Sequence, residues 1–191
     1  MLIEFKEQQI ADYIIPSFAV AQNEIIVLRF PNEPSAYGVI TLLNSFLTGQ
    51  IENNNVLIYN QFAYVPHSVN SRFFDNIFPL TVRRLINRIA SNPDQIYRQI
   101  NEEISWLTPD TKIETLAGDY RRLIYIYNTL SKTSNIIFDL PGLGTDNRKK
   151  IYSIVKNSVA IGGAAILYDY WDDFRNDCTT FIEIRHIGSN N

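Results

Sequence analysis

Residues 135–144 read Asn-Ile-Ile-Phe-Asp-Leu-Pro-Gly-Leu-Gly. An apolar run, Ile136-Ile137-Phe138, ends on a carboxylate, Asp139, and is then broken by Leu140-Pro141-Gly142. A short run without polar alternation predicts a strand covered on both faces, the habit of a parallel sheet between layers of helices. Two other runs share the pattern, Ile25-Ile26-Val27-Leu28 within residues 23–30 and Ala164 to Tyr168. Helical patterns separate them, over Gly118 to Leu130 and over Asp146 to Asn157. Strands alternating with helices predict an α/β protein with a mostly parallel central sheet flanked by helices.

Working outward, residues 31–38 hold two prolines and a glycine and read as a loop. Thr41 to Leu47 resumes helical spacing, and Gly49 stops it. Val56 to Tyr59 and Phe62 to Val65 are two more short strands, and Pro66 ends the second. The pattern then changes. Leu80, Leu85, Ile86 and Ile89 form one helical stripe, with Arg83 and Arg84 between them. Pro93-Asp94 opens another helix carrying Ile96, Ile100 and Ile104 at spacing four. This middle third predicts an inserted helical subdomain, residues 72–115, within a single domain spanning 1–191. Thr180 to Ile184 alternates and predicts an edge strand.

Composition narrows the function classes. Of 191 residues 46% are hydrophobic, enough for a sizeable core. Seventeen basic against twenty acidic residues give a net charge of −3, so nucleic acid is not an expected partner. One cysteine, Cys178, excludes an internal disulfide. With two histidines far apart, His67 and His186, a Cys/His metal site is not expected either. No apolar stretch approaches bilayer length, and the acidic N-terminal residues do not read as a secretion signal, so the expected location is the cytoplasm.

Five segments in one order then resemble the nucleotide-binding domain of ABC transporters, from about residue 18 to residue 188. Asn23-Glu24-Ile25-Ile26, Phe30-Pro31-Asn32, Gly38, Thr41-Leu42-Leu43-Asn44 and Leu47-Thr48-Gly49 are similar to that family's first strand, P-loop and following helix. Phe62 to His67, with Arg72 and Asp75-Asn76-Ile77, resembles the Q-loop region. Leu116-Ala117-Gly118-Asp119 is similar to the LSGGQ signature. Ile136 to Pro141 resembles the Walker B strand, and Gly142 to Asp146 the D-loop. The resemblance implies a P-loop NTPase-like fold of the ABC ATPase type.

It also implies that the chemistry is missing. A P-loop wraps phosphates in backbone N–H groups, reaches them with a lysine, and holds Mg²⁺ with the next hydroxyl. Here the loop reads as about three residues too long, with Val39 at the lysine position and Ile40 at the magnesium-ligand position, followed by Thr41. Glu33 brings negative charge and Pro34 lacks an N–H. Losing the lysine alone removes a charge-assisted contact of roughly 1.5–3 kcal/mol. His67 stands at the Q-loop glutamine, although taken alone it reads as a surface histidine after a strand. Ala117 lacks the signature serine's hydroxyl, and Asp119 replaces a glycine. Asp139 stands at the Walker B carboxylate, but Leu140 replaces the catalytic glutamate and accepts no proton. Asp146 matches the D-loop aspartate. The switch-histidine position falls near Tyr170 or Tyr168, with no histidine nearby.

The implied reading is an ABC-type pseudo-ATPase without catalytic residues or metal, binding Mg-ATP weakly or not at all. Its role would be structural or regulatory in a transporter-like or assembly complex. Implied partners are a homologous ATPase subunit, a membrane-embedded subunit or a second copy, at the inner face of a membrane. The segment Arg72 to Arg88 is the candidate docking surface, although Arg83, Arg84 and Arg88 also fit a solvated helix face. One alternative is a composite-site ATP-binding subunit completed by a competent partner. Another is a relative of the ParA/MinD-type ATPases, suggested by Asp139 to Gly144 but lacking their upstream loop. An α/β scaffold with no nucleotide history is the plainest alternative. For a pseudo-ATPase, Asp139→Asn is expected to leave the melting temperature unchanged or raise it.

Overall fold

A computed structural model describes residues 1–67, 79–90 and 92–188. The chain opens with four strands of three residues each, β1 (Ile3–Phe5), β2 (Gln8–Ile10), β3 (Tyr13–Ile15) and β4 (Phe18–Val20). There follow β5 (Ile25–Arg29), α1 (Ala36–Leu47), β6 (Val56–Ile58) and β7 (Ala63–Tyr64). Next come α2 (Val82–Ile89), α3 (Pro93–Glu103) and α4 (Gly118–Leu130). The chain closes with β8 (Asn135–Asp139), α5 (Thr145–Ala160), β9 (Ala164–Asp169), β10 (Thr180–Glu183) and β11 (Arg185–His186).

The central sheet has the order β10-β5-β9-β8-β7, and every neighbouring pair in it is parallel. Its strand runs are apolar because both faces are covered. Ile25, Val27, Ile136, Phe138, Ala165 and Leu167 face a core shared with the helices α2 to α5. Ile26, Leu28, Ile137, Ile166 and Tyr168 face a second core built with α1 and the N-terminal strands. Register aligns the C-terminal strand ends: Leu28 lies opposite Tyr168, Tyr168 opposite Asp139, and Arg29 opposite Asp169. The side chains of the candidate site gather along this edge.

β10 is the edge strand that the alternation predicts. One expectation is corrected. The loop after β5 ends at Ser35, and α1 begins at Ala36 rather than after Gly38. The reason is that Ala36, Val39, Ile40, Leu43 and Leu47 already lie on one buried helical stripe, which outweighs a single solvent-facing glycine. The loop before α1 therefore runs from Phe30 to Ser35. Val39 and Ile40 lie in the second turn of α1 and pack into the core. Val56–Ile58 is the short strand read from the sequence, and it joins an antiparallel sheet, β4-β1-β6. A third sheet, β11-β3-β2, is antiparallel throughout.

The middle third is helical, as the apolar spacing predicts, within the described residues. Thr81 caps α2 by accepting from the Arg84 N–H, and Asn92 caps α3 with Pro93 in its first turn. Ile96, Ile100, Ile104 and Ile113 bury against α4 in the helical-side core. Arg72 and Asp75-Asn76-Ile77 lie outside the described residues. No helix among the described residues is long and apolar enough to cross a membrane.

Candidate functional site at the strand ends

The loop from Phe30 to Ser35 joins β5 to α1. Several backbone N–H groups in the loop and in the first turn of α1 bond to the protein itself. Phe30 donates to the Asp169 carbonyl at 2.7 Å, Glu33 to Pro31 at 2.9 Å, Ala36 to Glu33 at 3.1 Å and Tyr37 to Pro34 at 3.4 Å. Pro31 and Pro34 have no N–H to give. The Glu33 carboxylate is held from the neighbouring sheet. It accepts from the Tyr13 hydroxyl at 3.2 Å and pairs with His186 Nδ1 at 3.0 Å. Tyr13 also bonds Ser35 Oγ at 2.6 Å and stacks on His186 at 4.7 Å between ring centres. Burial pushes the Tyr13 phenol above its ordinary pKa. Asn32, Gly38 and Thr41 are exposed, and Thr41 bonds back to the Tyr37 carbonyl.

At the end of β8, Asp139 is almost fully enclosed. Its Oδ1 accepts from Arg122 Nη2 at 2.7 Å. Its Oδ2 accepts from the Tyr64 hydroxyl at 2.9 Å and bonds His67 Nε2 at 2.8 Å. The Arg122 guanidinium also donates to the carbonyls of Asp139, Val65 and Pro66. Arg122 thereby ties α4 to the ends of β7 and β8. Desolvation lowers its pKa, opposed by the Asp139 charge. Tyr64 moves well above its ordinary value, first through burial and then through Asp139. Beside them the Tyr168 hydroxyl is buried with no hydrogen-bond partner. His67 is thus not the unattached surface histidine that its sequence position suggests. Leu140, the next residue, is buried in the core.

One strand over, Asp169 at the end of β9 forms a second buried pair. Arg148 Nη2 reaches both of its oxygens, at 2.8 and 2.7 Å. Arg148 Nε donates to Asp173 at 2.9 Å and Nη1 to the Leu140 carbonyl at 3.2 Å. The guanidinium lies 4.5 Å from the Trp171 ring centre and 5.5 Å from that of Phe174. Burial raises the Asp169 pKa even against the pull of Arg148. Two arginines from two helices therefore converge on the consecutive carbonyls of Asp139 and Leu140.

The signature-like segment lies at the N-terminus of α4. Leu116 is buried, Ala117 is the cap residue and makes no side-chain cap, and Gly118 opens the helix. The Asp119 carboxylate accepts from Asn147 at 2.9 Å, which links the first turns of α4 and α5. Asp146 is exposed in the first turn of α5. Of the residues singled out by sequence, the fold unites His67 with Asp139 and sends Val39 and Ile40 into the core. Sequence reasoning missed Tyr64, Arg122, Arg148, Asp169, Tyr13 and His186 as members. A signal did exist for the arginines. Arg122 precedes the apolar run Leu123 to Ile126, and Arg148 falls on the stripe of Ile151 and Val155.

Solved structures with a similar fold include ATP-binding domains of ABC transporters. One, an ATP-binding subunit, superposes with a TM-score of 0.72 at 15% identity, over 98% of this chain and 87% of that one. A nucleotide-free ATP-binding cassette gives 0.69 at 16% identity, over 97% and 88%. An ABC-transporter ATP-binding protein from Pyrococcus furiosus gives 0.71 at 13% identity, over 96% and 97%. The fold is that of an ABC-transporter ATP-binding domain. No protein-family model matches the sequence, and no curated protein matches it. The likeness therefore resides in backbone architecture. The side chains of this ABC-type fold have to be judged by what they touch.

Proposed function

We propose that the chain is a catalytically inactive ABC-type subunit whose role is structural or regulatory. The observation that carries the reading is the state of Asp139. Both of its carboxylate oxygens are taken, by Arg122, Tyr64 and His67. A carboxylate neutralised by a buried guanidinium has little charge to offer a divalent cation.

The loop supports the same reading. A P-loop places six residues, from glycine to glycine, before its lysine. Here the six residues Phe30 to Ser35 precede the helix, and the residue that opens it is Ala36, followed by Tyr37. Neither side chain substitutes for lysine or for a metal-binding hydroxyl at a helix start. The N–H groups of Glu33, Ala36 and Tyr37 are spent on loop carbonyls. Leu140 is buried and offers no base. The residues present do not fit Mg-ATP, and no hydrolytic step is assigned to them.

In this reading the chain works through contacts, with a homologous ATPase subunit or a membrane-embedded subunit at the inner face of a membrane. The arginine-bearing helix α2 is the docking element. Arg83 is exposed there beside Asp110 at 3.8 Å, a pair weak enough to be exchanged for a partner's carboxylate. Calorimetry of Mg-ATP against the purified chain, up to millimolar nucleotide, tests the proposal. No saturable heat is expected. Saturable binding with a micromolar constant overturns it and favours a composite ATP site completed by another subunit.

A further inference from the structure

Far from the strand ends, α3, the last turns of α4 and the C-terminal half of α5 enclose a cleft of about 640 Å³. Its floor is apolar, with Ile96, Leu130 and Ile154. Most of the charge on α3 is kept out of it by helical phase, Glu103 excepted. On α3 the charged residues Asp94, Arg98 and Glu102 repeat at spacing four on one stripe, while Gln95 and Gln99 line the cleft from the next. On α5 the lining residues are Asn157, Ser158 and Ile161 rather than its lysines. The ionised group in the lining is Glu103, and Lys150 neutralises it at 2.7 Å. The Tyr127 phenol, also in the lining, is pushed up to about 12 by burial and by Glu103.

At the rim stands Ile161, 88% exposed at the end of α5, just before the Gly162-Gly163 turn. An exposed isoleucine alone carries no message. This one stands beside a hole large enough to receive it. The surrounding amides of Gln95, Gln99 and Asn157 each donate and accept, so they complement copies of themselves as lysines or glutamates do not. A two-fold contact sets the same patch against itself, and a knob beside a hole among self-complementary polar groups suits it.

We infer that this face is a self-association surface. A second copy of the chain inserts its Ile161 over Leu130 and Ile154, while its own cleft receives Ile161 in return. The contact lies at the C-terminal ends of α4 and α5 and leaves the strand-end site at the other end of those helices uncovered. A contact built on one knob and one cleft is small, and small contacts are weak and transient.

Sedimentation equilibrium of the full chain, from about 1 to about 300 µM, tests it, because mass action makes a weak dimer visible only across such a range. The wild type is expected to dimerise with rising concentration. Ile161→Arg is expected to raise the dissociation constant at least about thirtyfold, as loss of a central anchor does. The exposure of Ile161 leaves the melting temperature of that variant unchanged in dilute solution. Asn157→Arg, at the same rim, is the second variant and weakens the dimer in the same direction. Tyr37→Arg, at the strand-end edge, has no effect. A wild type that stays monomeric throughout overturns the inference. So does a dimer that survives Ile161→Arg and Asn157→Arg, or one that Tyr37→Arg abolishes instead.

Discussion

The two central strands β8 and β9 end alike, each on an aspartate gripped by an arginine from a helix, yet the two clamps are differently built. Arg148 and Asp169 are sealed. Both are buried, the contact is two-pronged, and Trp171 and Phe174 flank the guanidinium. Arg122 and Asp139 are shared. Asp139 also bonds Tyr64 and the half-exposed His67, and Arg122 also bonds three carbonyls. Arg148 also reaches Asp173 and the Leu140 carbonyl, and Asp169 also accepts from the Tyr170 and Trp171 N–H groups, so both clamps have several partners. They differ in that the carboxylate of the first meets a buried arginine and backbone N–H groups, whereas that of the second is also reached by an exposed histidine. A buried charge is tolerated in proportion to its alternatives when one partner is removed. The sealed clamp is therefore read as a fixed part of the fold. The shared clamp holds Asp139, which by sequence resemblance stands at the Walker B carboxylate.

The largest effect is expected at the sealed clamp. Arg148→Met leaves Asp169 buried without a cation, a change of the class that destabilises by about 3–5 kcal/mol. Urea denaturation measures it. The deficit should also depend on pH. Without Arg148, the already raised pKa of Asp169 rises further. A raised carboxyl pKa in the folded state gives stability present below the unfolded value, near 3.9, and lost as pH rises through the folded value. The deficit at pH 7 should exceed that at pH 5. Equal deficits at the two values mean that Asp169 does not carry the charge that makes the pair matter.

Asp139→Asn comes next. It removes one charged acceptor from Arg122, which keeps its bonds to the carbonyls of Asp139, Val65 and Pro66. The expected loss is about 1.5–3 kcal/mol, the range for a hydrogen bond to a charged group. Sequence alone leads to the opposite expectation, an unchanged or higher melting temperature, because it treats Asp139 as a relic of metal binding with no partner in the fold. A variant as stable as the wild type restores that earlier view and weakens the contrast between the clamps.

That reversal marks where sequence stops being legible. The runs at Ile25, Ile136 and Ala164 identified the parallel sheet because burial on both faces leaves a mark in residue type. The helix over Gly118 to Leu130 emerged at its observed bounds for the same reason, a long apolar periodicity. Strands β1 to β4 stayed hidden because three residues carry too little alternation to read. The start of α1 was misplaced because Pro34 and Gly38 spoke louder than the stripe running through Ala36. The site was legible at Asp139 and Glu33 as single residues. Their partners were not, since Arg122, His186 and Tyr13 reach them across 17, 153 and 20 positions of chain. Pairing over such distances is a property of topology and leaves no local pattern.

His67→Ala is expected to have the smallest effect, and it separates two meanings of a shared clamp. The imidazole is 44% exposed, and its bond to Asp139 Oδ2 competes with water. Deleting it should lower stability by about 0.5–1.5 kcal/mol, the net value of an ordinary hydrogen bond, because Tyr64 and Arg122 continue to satisfy Asp139. Thermal unfolding alongside Asp139→Asn gives the comparison. If the network is redundant, the double variant should lose little beyond Asp139→Asn alone, because the second change removes a bond whose acceptor charge is already gone. Full additivity means that His67 is held by something other than Asp139. A loss of the size expected for Arg148→Met means that the exposed histidine is as deeply committed as the sealed arginine. Either result removes the distinction between the two clamps.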